Sequence, residues 1–311
     1  MDNQQSFSLY GRGREVWNNW AAERLAERAE LETNGLWTAE PDMEGRLKGA
    51  NNETEQWLEA STVNFADQNF SGNVNFGGFV FPGETWFNRS KFPNLGITFD
   101  DALFHGRALF NGATFGGAAA FDRAAFASVA EFTRAHFEDV SFTQTRFTVS
   151  VFMATNFSRT TVFLETVFES GPNFNETLVS GTLIFARIKF NPITTFCRVR
   201  FLQGCEFKEV TFGDKVTFEG VVFSREASFN EVVFQNVADF TNTKFDADAK
   251  FTENSFNGDA NFSGAIFNHS ANFNKARFNA SALFSHAAFN QRAYFFDAIF
   301  TGRPLFKAGS F

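Results

Sequence analysis

Four histidines and two cysteines are the side chains best suited to catalysis or metal binding, and their placement argues against both. A reactive centre needs groups that converge. His105, His136, His269 and His286 are scattered along the chain. Each falls at an outward position of the repeat described below, which predicts exposed surface rings. Cys197 and Cys205 match no zinc-ligand spacing and cannot build a disulfide framework. Cys205 falls at an inward position and reads as a small core residue, and Cys197 follows Phe196 and should face outward. The chain contains no P-loop, no nucleophile elbow and no HExxH helix. Gly11-Arg12-Gly13 reads as turn residues, not as a phosphate cradle. The expectation is a non-enzymatic protein with no cofactor and no metal.

Composition points to architecture instead. The 311 residues include 48 phenylalanines against two tyrosines and three methionines, a bias that signals one structural slot used many times. Hydrophobic residues make up 44% of the chain, too many for disorder. No apolar run approaches the roughly 18–20 residues of a membrane span. A net charge of −8 disfavours a direct nucleic-acid binder. The N-terminal stretch MDNQQSFSLYGRGREVW has no apolar signal region, so a cytoplasmic protein is expected.

Two regions of unequal size follow. Residues 1–60 contain one Phe, four of the five tryptophans, and twelve acids against six bases. Residues 61–311 hold 23 acids against 21 bases. In the first region Val16, Trp17, Trp20, Ala21, Leu25 and Ala29 recur at helical spacing. Asn34-Gly35 supplies a stop. Residues 34–51, with Gly35, Pro41, Gly45 and Gly49, read as a loop. A shorter helix is expected around 53–60, capped by Asn51 or Asn52, with Trp57 and Leu58 on its buried side.

From Phe65 the phenylalanines form a ladder whose spacing alternates between five and six residues. It passes through Phe110, Phe115, Phe121 and Phe126, and later through Phe262, Phe267, Phe273 and Phe278. One rung, Val179, is not Phe. The residue two before each rung is nearly always small or β-branched, as in Ala113-Thr114-Phe115 and Ala271-Asn272-Phe273. Small, variable, Phe is a strand-like alternation that puts two residues inside and one outside. The Gly, Asn, Asp and Ser that follow suit turns. A chain that turns every five or six residues while burying the same two slots must wind into a solenoid.

The ladder resembles the pentapeptide-repeat proteins, over residues 61–311. The resemblance implies an all-β solenoid, a right-handed quadrilateral β-helix. It would have about 22 residues per coil and about eleven coils, with a small α-helical cap or arm in residues 1–60. At roughly 4.8 Å per coil the rod would be ~55 Å long. Irregularities are expected near 93–98, where one residue is extra, near 137–157, where two are missing, and around Val179. Phe79, which occupies the small slot, predicts local distortion. Pro172 and Pro304, in the same slot, should fall where a ladder bond is absent.

Trp17, Trp20, Leu25 and Trp57 are the candidate cap residues over the first coil, which would otherwise expose its rings and backbone. The ladder runs to Phe311, and the resemblance implies a homodimer through the C-terminal coil. Two functional readings stay open. The first is a scaffold that presents its outer faces to a protein partner. The second is implied by relatives that imitate DNA: a mimic that inhibits a topoisomerase or another DNA-binding protein. A mimic needs a dense negative field. Asp100, Asp101, Glu131, Glu138 and Asp139 form the best candidate acidic patch.

Overall fold

In the computed structural model, which describes residues 1–42, 46–72 and 74–307, the Phe ladder becomes four columns of stacked rings. In the first column Phe110 lies 5.0 Å from both Phe87 and Phe132, within 6° of parallel. Phe115, Phe121 and Phe126 stack in the same way on Phe92, Phe99 and Phe104. Between columns the rings meet edge to face, as Phe99 and Phe110 do at 5.5 Å and 87°. Both arrangements suit the ring quadrupole, and together they fill the interior without a channel. Phe262, Phe267, Phe273 and Phe278 repeat the pattern near the far end, stacked on Phe240, Phe245, Phe251 and Phe256. All eight of these rings are buried.

The rungs are two-residue parallel strands, each paired to the coils before and after. Thr114–Phe115 pairs with Lys91–Phe92 on one side and His136–Phe137 on the other. Ala108, Ala113, Ala119 and Ala124, two residues before successive rungs, are buried against the rings. One face carries an 11-stranded sheet with one strand per coil, which counts the coils. The result is a β-solenoid of about eleven coils. The last rung, Phe311, and the small-slot Gly309 lie outside the described residues, as does Gly45.

Five-residue corners follow the first and third columns and six-residue corners follow the second and fourth. At the regular five-residue corners after the first and third columns the second residue after the rung has positive φ, and at most of them the next N–H returns to the Phe carbonyl. Gly112 has φ +67, and Ala113 N–H donates to Phe110 at 3.0 Å. Among the described residues, eighteen that are not glycine adopt this left-handed conformation. For an L-residue it costs about 1–2 kcal/mol. The residue's own N–H bond to the next coil holds it in place, as Asn242 N–H to Ser263 shows at 3.0 Å. Glu209, Glu231 and Glu253 succeed one another at one such corner, so Glu231 combines backbone strain with like-charged neighbours. Glu231→Gly is therefore expected to stabilise the rod by about 0.5–1 kcal/mol, measured as a raised denaturant midpoint at unchanged slope. A lowered midpoint would contradict this account of the corners.

The irregular stretches are absorbed at the corners while the columns stay intact. The extra residue near 93–98 puts Leu95 out at the surface, 73% exposed, and Phe99 still stacks on Phe121 at 4.8 Å. In the short coil the chain runs as continuous strand across one corner, Arg146–Val151. It pairs with Ala125–Glu131, and the register shifts between Phe126 and Val129. At Pro172 the strand shrinks to isolated bridges at Asn173, as the missing N–H requires. Pro304 pairs with Ala282 in the last described coil.

Two expectations of disorder in the pattern are corrected, the second only in part. Phe79 causes no distortion: Val80–Phe81 stays in register with Leu103–Phe104, and Phe81 stacks on Phe104 at 4.5 Å and 2°. Phe79 belongs to the first coil, where it packs on Trp17 and Tyr10 of the cap instead of on a preceding coil. Of the stretch 173–181 around Val179, only the start at Asn173 is reduced to isolated bridges; Leu178–Val179 is paired on both sides. The smaller rung is offset by Leu183 and Ile188, both buried in the small slots of the same coil. Val179→Phe, which restores the ladder residue, is thus expected to destabilise by about 1–3 kcal/mol through overpacking. Equilibrium denaturation checks this, and a stabilised variant would show that the coil holds unused space.

The first coil is closed by three helices: α1 (Asn3–Tyr10), α2 (Arg14–Thr33) and α3 (Asn52–Ser61). α1 starts from a capping box of Asp2 and Gln5. It lays Phe7 on Phe65 at 5.0 Å and Tyr10 on Phe76 at 4.8 Å. α2 ends at Asn34, and Gly35 takes φ +67. α3 is capped by the Asn51 side chain, which accepts from Thr54 N–H at 2.8 Å. Between α2 and α3 the expected loop is instead a short antiparallel hairpin, β1 (Ala39–Pro41) and β2 (Leu47–Gly49). Pro41 is tolerated there because the hairpin has only two strands and both are edges.

Candidate functional site

Of the candidate cap residues, Trp17 makes the most contacts with the rod. It is fully buried and lies within 6.2 Å of Phe65, Phe79 and Phe81, and its Nε1 donates to the Val80 carbonyl at 2.7 Å. The next residue, Asn18, accepts from Val80 N–H and donates to Gly78. Trp20 packs edge-on against Trp17. Trp57 holds the cap together from within: its Nε1 donates to the Arg24 carbonyl at 2.6 Å, tying α3 to α2, and its ring meets Trp37 edge-on. Leu25 is half-buried and stands apart from the buried core cluster. Phe7 and Tyr10 close the end of the rod but were not expected from the helical periodicity. The readable signal was the Asp2-to-Gln5 capping box followed by aromatics three residues apart.

The outer surface is mostly polar, and at several corners its charges are matched along the rod axis. At the left-handed corners, acids and bases 22 residues apart pair between neighbouring coils. Arg89 reaches Asp67 at 2.6 Å, Arg187 reaches Glu165 at 2.9 Å, Arg198 reaches Glu176 at 2.7 Å and Lys275 reaches Glu253 at 2.8 Å. The Arg89 hydrogen bond holds the Asp67 carboxyl below its usual range, and hydrogen bonds from Gln144 and Arg187 do the same for Glu165. Such exposed pairs add little stability. Their effect is to cancel field.

Four of the five carboxylates of the candidate acidic patch are likewise matched by bases. Asp100 and Asp101 sit at one corner, where Asp101 is paired with Arg123 at 2.8 Å and its carboxyl is held low by that hydrogen bond. Glu131 sits on a flat face and is paired with Arg107 at 2.6 Å. Glu138 and Asp139 share a different corner with Arg159, at 3.6 and 3.8 Å. Residues a few positions apart in sequence lie on different faces, and residues one coil apart are neighbours.

Cys205 is buried, and burial pushes its thiol well above the ordinary value, which makes it inert. Cys197 is half-buried. Among the described residues no group of three His, Cys, Asp or Glu could hold a metal, and no helix is long and apolar enough to cross a membrane. His269 and His286 are exposed and His136 is half-buried. His105 departs from the expectation of an exposed ring. It follows Phe104 at an outward position, but the cap covers that corner, and its Nε2 is buried with no hydrogen-bond partner.

That histidine lines a cleft of about 210 Å³ between the cap and the six-residue corners of the first coils. Arg28, Leu47, Trp57 and Leu58 come from the cap, and Glu84, His105 and Arg107 from the rod. Gly83 and Gly106 form its floor, where successive coils approach so closely that a Cβ on Gly106 would lie 2.4 Å from the Gly83 backbone. Arg107 bridges Glu84 and Glu131 at 3.3 and 2.6 Å. A second, more open hollow beside it is lined by Lys48, Glu55, Glu59 and Trp86.

A family model of pentapeptide repeats (9 copies) matches residues 110–154 and 229–277. Among solved structures the chain is similar to HetL of the cyanobacterium Nostoc sp. strain PCC 7120. That protein is described as a pentapeptide repeat protein involved in heterocyst differentiation regulation. The match has 12% identity, covers 84% of this chain and 94% of that one, and has a TM-score of 0.23. No curated protein sequence matches the chain.

Proposed function

Because the chain belongs to the pentapeptide-repeat family, we propose that it is a non-catalytic scaffold whose outer faces dock a protein partner. The observation that carries this reading is the division of labour between the two sides of the wall. The inside is filled with stacked rings and offers no space for a substrate. The outside presents a long polar surface on rigid strands, which suits recognition by a macromolecule more than by a small substrate. The acidic surface of a DNA mimic has less support. Asp67, Asp101, Glu165, Glu176 and Glu253 are each neutralised by a base one coil away, while a mimic must present unneutralised charge.

The test is a pair of assays on the intact protein. A gyrase supercoiling assay is expected to show no inhibition at concentrations up to about 10 μM, where a field-driven mimic would act in a salt-dependent way. Affinity capture is expected to retain a partner that is lost when outward charges such as Arg200 and Lys244 are reversed without loss of fold. Salt-sensitive inhibition of gyrase would reverse the choice between the readings.

A further inference from the structure

We propose that the cleft between the cap and the rod binds a small carboxylate with a flat apolar body. This is independent of the scaffold reading, which concerns the outer faces.

The argument starts from Arg28. Its guanidinium sits over Trp37 at 4.6 Å and Trp57 at 5.6 Å, so two indoles fix its position. Its Nε donates to Glu32 at 2.9 Å, and its two terminal amino groups donate to no acceptor among the described residues. Across the cleft stands His105, whose Nε2 is buried without a hydrogen bond. Burial, and then the charge of Arg28, hold the imidazole below its ordinary value. Arg28, whose partner Glu32 on its own helix takes only Nε, thus shares a cleft with an imidazole held below its ordinary value. The carboxylate lining it, Glu84, is committed elsewhere: Oε1 to Arg107 at 3.3 Å and Oε2 to the Trp86 indole at 2.8 Å.

Glu32 takes only the Nε of this guanidinium, so its two terminal amino groups remain a fork for a carboxylate. A bound anion would give Arg28 a second carboxylate partner and lessen its pressure on His105. The remaining walls, Trp57, Leu47 and Leu58, are apolar and ask for a hydrocarbon body. The volume of 210 Å³ is about seven waters at roughly 30 Å³ each. That admits a single-ring acid and is too small for a nucleotide or a folded peptide segment.

The full-length chain is titrated with sodium benzoate by calorimetry, with benzamide as the neutral analogue of the same shape. Benzoate is expected to bind one to one with a Kd of about 0.1–1 mM, and benzamide about tenfold or more weaker. Arg28→Gln should weaken benzoate at least about tenfold. Glu32→Gln, which frees Nε as well, should tighten it about two- to threefold, since the Arg28–Glu32 pair is partly exposed. Absence of saturation up to about 20 mM benzoate, well beyond the Kd expected, overturns the proposal, as does equal binding of benzamide. If Arg28→Gln unsettles the cap, Glu32→Gln decides: tighter binding supports the site and unchanged affinity overturns it.

Discussion

Replacing Trp17 by alanine is expected to cost about 3–5 kcal/mol of stability, the largest loss for any single residue of the cap. The side chain is wholly shielded from water and touches Phe65, Phe79 and Phe81 of the first coil and Trp20 of its own helix. Its removal opens a cavity beneath α2 and also strips the Val80 carbonyl of its indole donor. A half-buried carbonyl left without its donor adds to that loss. The loss falls at the end of the rod, so its consequence is larger than local. The first coil carries rings and backbone groups that would otherwise face water, and Phe7, Tyr10 and Trp17 are what covers them. Trp17→Ala should therefore lower the denaturant midpoint and promote association at high micromolar concentration by light scattering. Deleting residues 1–60 should be worse still and yield an insoluble chain. A deletion variant that stays monomeric and folded would show that the helices decorate the rod and do not protect it.

The sequence shows the interior of the rod and hides its edges, for a physical reason. Each interior slot is occupied by the same residue type because each meets the same neighbours, so the five-and-six spacing can be read at once. The corners obey a backbone rule that side chains barely reveal: the left-handed position holds Asp67, Arg89, Glu176 and His286 as readily as Gly112. The N-terminal helix α1 has eight residues and one Phe, too little for a periodic signal. Distance was the other obstacle. Asp100, Asp101, Glu131, Glu138 and Asp139 look clustered in sequence, yet a coil of 22 residues sends them to different faces. The cleft joins Arg28, Trp57, Glu84 and His105, which no motif connects, and His105 is outward by period but covered by a cap that the period does not describe.

The second large effect is expected from Phe240→Ala in the middle of the rod. The ring is fully buried, stacked on Phe218 at 4.7 Å and Phe262 at 4.8 Å, with Phe229 and Phe251 edge-on at 5.6 and 5.4 Å. Truncation removes contacts to two coils at once and should cost about 3–5 kcal/mol. Phe306, which stacks on Phe284 but is 38% exposed, should lose much less in the same change. What distinguishes a solenoid from a globular core is where that energy goes. Stability is a sum of coil terms and nearest-neighbour interfaces, so a weakened interface can uncouple the two halves. The chain provides its own reporters for this. All five tryptophans lie between Trp17 and Trp86, so fluorescence follows the capped end alone, whereas far-UV circular dichroism follows every coil. In the parent protein the two guanidinium curves are expected to coincide. In Phe240→Ala the dichroism should fall first, as the coils beyond the lesion unfold without the cap, and the fluorescence should follow at nearly the parent midpoint. Curves that stay superimposed and shift together would mean that the stacked columns act as one cooperative unit from end to end, and that a lesion at any rung is felt by all of them.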